Sequence, residues 1–214
     1  MTDPQRSLIA VLLDRSGSME TIKSDTEGGF NAFIGGQRDE PLDVTVTLAQ
    51  FDTHYDVVYA NRPVRDVPPL DLQPRGGTAL YDALGRLITD VGAELAALPE
   101  HQRPSRVVVV VLTDGHENSS CEWTHDAVSA AIRRQESEYA WDFLFLGANM
   151  DAVAIGAQLG FRPDRSMTYA ASPDGVTNAM SAAAGYVSRK NRAPVDAIVP
   201  GFSDEDRAAA QGNR

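Results

Sequence analysis

The sequence predicts an α/β fold: a mostly parallel central sheet of about six strands, helices on both faces and one antiparallel edge hairpin strand. Three observations predict it. Extended and helical patterns alternate along the whole 214-residue chain, as in sheets covered on both sides. Leu8-Ile9-Ala10-Val11-Leu12-Leu13 and residues 107–112 are uninterrupted apolar runs of strand length, which central parallel strands require because both of their faces are buried. Residues 44–48 alternate instead, and Asp52-Thr53-His54 reads as a turn into residues 55–59, so this pair forms a hairpin near one edge.

The remaining elements follow in order. Phe143-Leu144-Phe145-Leu146 before Gly147 reads as a fifth strand and residues 166–170 as a sixth. The clearest helix covers 78–98, where Leu80, Leu84, Leu87, Val91, Leu95 and Leu98 recur at three- and four-residue spacing and Asp82, Arg86, Asp90 and Glu94 fill the other side. Helices are also expected at 124–139, 152–159 and 174–188, and at 19–37 despite Gly28-Gly29. Residues 62–75, rich in proline, read as an irregular surface crossing. Residues 1–190 are the expected single domain. Residues 191–214 are a C-terminal extension, partly irregular or a short helix, with residues 202–206 reading as a frayed tail more than as a helix cap.

Composition narrows the function classes. A formal net charge of −11 without any Lys/Arg run disfavours nucleic acid and acidic membrane surfaces as partners. Cys121 is the one cysteine, so no internal disulfide forms. No apolar run approaches the roughly 20 residues that span a bilayer, and the N-terminus lacks a secretory pattern, so a cytoplasmic protein is expected.

Chemistry is concentrated where the apolar runs stop. The first ends in Asp14-Arg15-Ser16-Gly17-Ser18 and the second in Thr113-Asp114-Gly115, while Gly76-Gly77-Thr78 heads the long amphipathic helix. Ligands of open parallel sheets bind beyond the carboxyl ends of strands where the winding direction reverses. If the two runs are neighbours there, Asp14, Ser16, Ser18, Thr78 and Asp114 converge on one divalent cation. Carboxylates and hydroxyls suit Mg2+, with Mn2+ possible, whereas zinc favours histidine or thiolate. The competing reading makes Ser16, Ser18 and Thr78 helix caps and the two aspartates ordinary loop acids.

Asp14-x-Ser16-x-Ser18, Thr78 after Gly-Gly, and Thr113-Asp114-Gly115 together resemble the metal-ion-dependent adhesion site of von Willebrand factor type A domains. The similarity covers about residues 8–186, and Arg15-Ser16-Gly17-Ser18-Met19 resembles intracellular bacterial members. The resemblance implies a Rossmann-like doubly wound sheet, with direct metal ligation by Ser16, Ser18 and Thr78 and mostly water-mediated contact from Asp14 and Asp114. It further implies cation-dependent protein binding in which a partner's Asp or Glu completes the metal shell. Related intracellular domains work beside ATPases, stress-resistance factors or metal-handling complexes, which is the setting the resemblance implies for the partner.

Other functions are weighed against this one. A Mg2+-dependent hydrolase or phosphotransferase would need a second Asp two residues after the first, where Ser16 stands, or a phosphate-binding loop or nucleophile elbow, neither of which is visible. A structural domain with a vestigial site is the third reading. His116, Cys121 and His125, with Glu117 or Glu122, form an alternative zinc candidate whose spacing is looser than structural zinc loops show. Asp82 either supports the site from behind Thr78 or pairs with Arg86 in solvent.

Overall fold

A computed structural model describes residues 1–212. The first apolar run forms the core of β1 (Asp3–Asp14) and the second that of β4 (Pro104–Thr113), and they lie side by side, parallel, with Leu8 opposite Val107 and Leu13 opposite Leu112. With β2 (Asp43–Phe51), β3 (Tyr55–Pro63), β5 (Asp142–Ala148) and β6 (Ser166–Tyr169) the sheet order is β3-β2-β1-β4-β5-β6. All neighbours are parallel except β2 and β3, the expected edge hairpin. From β1 the chain winds to one side and from β4 to the other, so the reversal lies between the strands that end in Asp14 and Thr113-Asp114.

Alternation along β1 divides the core in two. Ile9, Val11 and Leu13 face α1 (Lys23–Gln37) and α5 (Pro173–Arg192), while Leu8, Ala10 and Leu12 face α2 (Leu80–Ala97), α3 (His125–Tyr139) and α4 (Ala152–Leu159). The stretch expected as one helix at 19–37 starts instead as a 3-10 turn, Gly17–Ile22, which buries Met19 and Ile22 before α1 begins. Trp123 packs on α2 at Gly85, where a Cβ would come within 2.0 Å of the indole. Among the described residues no helix is long and apolar enough to cross a membrane.

The two sheet edges are protected differently. Strand β3 carries two register shifts against β2 and a left-handed Asn61 (φ 47°), irregularities that hinder pairing with another chain. The β6 edge is covered by the C-terminal segment, where a frayed tail was expected. Ser203 and Asp206 form a reciprocal capping box that starts α6 (Asp204–Ala210), Arg207 donates to the Ser166 carbonyl at 2.5 Å, and Ala170 N–H donates to the Ala210 carbonyl at 2.9 Å. Residues 213–214 of the predicted extension lie outside the described residues.

Buried charge fastens α5 to the amino end of the sheet. Asp142 at the start of β5 lies 2.5 Å from Arg165 and 2.9 Å from Lys190 of α5, and Arg106 of β4 donates to the carbonyls of Lys190 and Ala193 at 3.0 and 2.8 Å.

At the carboxyl end a second buried acid, Asp52, joins three loops. Its carboxylate accepts from Arg15 (2.9 Å), Arg75 (2.7 Å) and the His54 N–H (2.7 Å), and its carbonyl accepts the Ala79 N–H (2.9 Å). Arg75 N–H returns to the Arg15 carbonyl at 2.7 Å, and Gly17 N–H to the carbonyl of Gly76, whose φ of 68° is a conformation that favours glycine. Burial pushes the Asp52 carboxyl up, but Arg75, His54 N–H and Arg15 outweigh it and hold the group down at about 2.

Two stability predictions follow from these acids. Asp142→Ala leaves Arg165 and Lys190 buried without their carboxylate and should cost about 3–5 kcal/mol in urea unfolding; a loss below 1 kcal/mol would show that the network is not anchoring α5. Because the folded Asp52 value is depressed below 3.8, its contribution is present above that pH and lost as pH falls towards about 2. Asp52→Asn should therefore be about 2 kcal/mol less stable than the parent protein at neutral pH, with the gap closing on acidification through that window.

Candidate metal centre

The five predicted groups meet beyond the carboxyl ends of β1 and β4. Asp14 ends β1 fully buried, with Oδ1 accepting the Ser16 N–H at 2.6 Å and Oδ2 accepting the Thr113 hydroxyl at 2.5 Å. The Ser16 and Ser18 hydroxyls lie 3.1 Å apart, and Ser18 Oγ donates to Asp114 Oδ1 at 2.7 Å. Thr78 is buried beside them, so close to the loop after β4 that a Cβ on Gly115 would stand 2.7 Å from Thr78 Oγ1.

None of the three hydroxyls caps a helix. Ser16 precedes the 3-10 turn without a side-chain cap bond, and Thr78 lies outside α2, whose capping position is Ala79. Their oxygens are thus not spent on helix N–H groups, although Ser18 Oγ bonds Asp114 and the Ser16 hydroxyl. Thr78 is pinned by main-chain exchange with the loop after β4: its N–H donates to Asn118 Oδ1 at 2.9 Å and its carbonyl accepts the Asn118 N–H at 3.0 Å.

The electrostatics are one-sided. Burial pushes the Asp14 carboxyl up to about 6, partly offset by the Thr113 hydroxyl and the Ser16 N–H, with Asp114 adding repulsion. Asp114 is raised as well, again chiefly by burial. Among the described residues neither carboxylate is in an ion pair, although Arg15 sits between Asp14 and Ser16 in sequence; its guanidinium is drawn away to Asp52 and Asp56. Tyr169, at the end of β6, adds a fully buried hydroxyl without a hydrogen-bond partner among the described residues, and both carboxylates reinforce burial in keeping its phenol protonated. Two acids without a basic partner among the described residues, three hydroxyls that cap no helix and a buried phenol form an oxygen-rich set that fits a hard divalent ion.

The loop after β4 is organised differently from the zinc alternative. Among the described residues no three His, Cys, Asp or Glu groups assemble to hold a metal, and Cys121 is exposed. Glu117 turns inward instead, accepting from the N–H groups of Tyr81, Ser119 and Ser120 at 2.7–3.0 Å. Asp82 neither faces solvent nor pairs with Arg86, which binds Glu122; it accepts the N–H groups of Cys121, Glu122 and Trp123 at 2.7–2.9 Å. Helix α2 and the loop thus cap each other reciprocally, and that exchange fixes the segment bearing Thr78.

No protein-family model and no curated protein matches the chain. Solved structures do. Proximal thread matrix protein 1 from the mussel byssus, with zinc occupying its metal-ion-dependent adhesion site motif, superposes with a TM-score of 0.61 at 15% identity, over 87% of this chain and 47% of that one. The pilus adhesin SpaC of Lactobacillus rhamnosus GG gives a TM-score of 0.65 at 16% identity, over 87% of this chain and 30% of that one. A von Willebrand factor type A protein from Catenulispora acidiphila gives 0.58 at 16% identity, over 86% and 43%. This chain spans less than half the length of each of these proteins, and the likeness is one of fold. The chain has the von Willebrand factor type A fold.

Proposed function

We propose that this chain is a divalent-cation-dependent protein-binding domain, with Asp14, Ser16, Ser18, Thr78 and Asp114 holding Mg2+ or Mn2+ and an Asp or Glu of a partner completing the shell. The observation that carries the reading is the pair of unpaired, partly desolvated carboxylates set among three hydroxyls that cap nothing. The zinc-occupied motif named for the mussel protein supports a cation on this fold, and the pilus adhesin supports adhesion as its use.

Three of the five groups are neutral, so they hold a cation without cancelling its charge. A bound ion supplies an open coordination position that attracts an outside carboxylate. The residues supply the rest: Asp14 orients the Ser16 N–H and the Thr113 hydroxyl, Ser18 and Asp114 hold each other, and Asn118 holds Thr78. Recognition of this kind needs no bond-breaking step, and the proposal assigns no catalytic residue.

Isothermal titration should find one dominant Mg2+ or Mn2+ site, and anomalous scattering should place manganese beside Ser16 and Thr78. No metal there at millimolar concentration would make the site vestigial.

Asp14→Asn separates a metal site from a structural acid. A buried charge without a partner is costly, so in chelator the variant should melt at or above the parent protein; in millimolar Mg2+ the order should reverse, because only the parent gains ligand stabilisation. A variant that unfolds in chelator would identify Asp14 as structural.

A further inference from the structure

Beside the candidate metal site runs a groove of about 170 Å³ to which Leu80, Phe145, Ile155 and Leu159 give apolar surface and His116 and Gln158 polar surface. Gly115, which touches Thr78, lines it too, so the groove and the donor set are continuous. The Glu117 carboxylate at its rim is spent on N–H groups and offers the groove no free charge. A ~150 Å³ apolar cavity accommodates benzene, so this one has room for a single large apolar side chain. The face therefore calls for a carboxylate and, close to it in sequence, an exposed aliphatic or aromatic residue.

The chain presents such a segment at its opposite end. After α5 a short turn, closed by the Ala197 N–H on the Pro194 carbonyl at 2.9 Å, leads to Pro200. It exposes Asp196, which makes no ion pair among the described residues, and Ile198, 85% exposed and the most exposed large hydrophobic residue after Met1. Both ends of the turn are held: Arg106 binds the Ala193 carbonyl, and Val199 is buried. The carboxylate and the aliphatic side chain are thus displayed on a fixed support, two residues and at most about 7 Å of backbone apart. The other exposed apolar pair, Val57 and Val58, follows Asp56, but that acid is committed to Arg15 and Arg75.

We infer that the partner is a second copy of this chain, with Asp196 of one copy completing the metal site of the next and Ile198 filling the adjoining groove. The inference rests on the metal-dependent reading above. Because donor turn and acceptor face lie at opposite ends of the sheet, the contact is head-to-tail and does not close on itself as a two-fold dimer would, so it builds rings or open chains of more than two copies.

Sedimentation velocity over a concentration series, with magnesium titration on the same samples, tests it. In millimolar Mg2+ the protein should form species growing beyond dimer, and in chelator it should be monomeric. Asp196→Asn should abolish growth, and Ile198→Ser should weaken association at least about tenfold, the scale of burying one aliphatic side chain. Thr78→Ala should not self-associate either. Mixed with Asp196→Asn, however, it should give a one-to-one heterodimer and nothing larger, since one variant keeps the donor turn and the other the acceptor face. A protein that binds Mg2+ yet stays monomeric, or a mixture that stays monomeric, overturns the inference and leaves the metal reading standing. A protein that binds no Mg2+ overturns both.

Discussion

The carboxyl end of the sheet is governed by one electrostatic constraint: Asp14 is fully buried beside Asp114, and among the described residues neither has a basic partner. Folding removes Asp14 from water because the strand that carries it is central and flanked by parallel neighbours on both sides. A carboxylate in that position is normally paired or hydrogen-bonded to many donors. Here it receives one N–H and one hydroxyl, and the nearest guanidinium in sequence, Arg15, is committed elsewhere. The unbalanced charge is what distinguishes this arrangement from a set of loop acids.

The scaffold around it is set independently of any ligand. Asp52 ties the loops after β1 and β2 to the segment before Thr78, and Asp82 and Glu117 exchange N–H groups between α2 and the loop after β4. All three acids bond to the chain itself, so none competes for a cation at the centre. Groups fixed in this way lose little conformational freedom when a ligand arrives, which is the advantage of preorganisation.

The convergence of the five candidate residues was legible in the sequence because each stands where a clear pattern stops: two apolar runs of central-strand character, and a leucine-periodic helix. The same runs place both strands in the middle of the sheet, while their direct pairing, which makes Asp14 and Asp114 neighbours, is a condition that the sequence leaves open and the structure meets. Asp52 was not legible as more than a turn former, because its guanidinium partners lie 37 and 23 residues away and nothing local marks the pairing. Asp82 looked like one acid among several on the polar side of a helix; its three N–H donors come from a loop about 40 residues on. Helix α6 reads in the sequence only as an alternative to a frayed tail, because it is short and rich in alanine and acid; the Ser203 capping box and the β6 edge that it covers hold it.

A parallel sheet has two unlike ends, and in this protein their charges are handled in opposite ways. At the amino end, buried Asp142 meets Arg165 and Lys190, and buried Glu40 meets Arg192, so each acid is answered by a basic residue of the chain. At the carboxyl end Asp52 is answered by Arg15 and Arg75 and Asp82 by three backbone N–H groups, whereas Asp14 and Asp114 have no basic partner among the described residues. The other buried acids are thus answered by a basic residue or by several backbone N–H groups, whereas these two stand where hydroxyls gather. Had the serines and threonine been caps, their oxygens would have been spent on N–H groups; had the acids been structural, an arginine one residue away was at hand to neutralise them. The chain spends neither, and the vacancy in its own charge pairing falls at the reversal point of the sheet, where this class of fold binds its ligands.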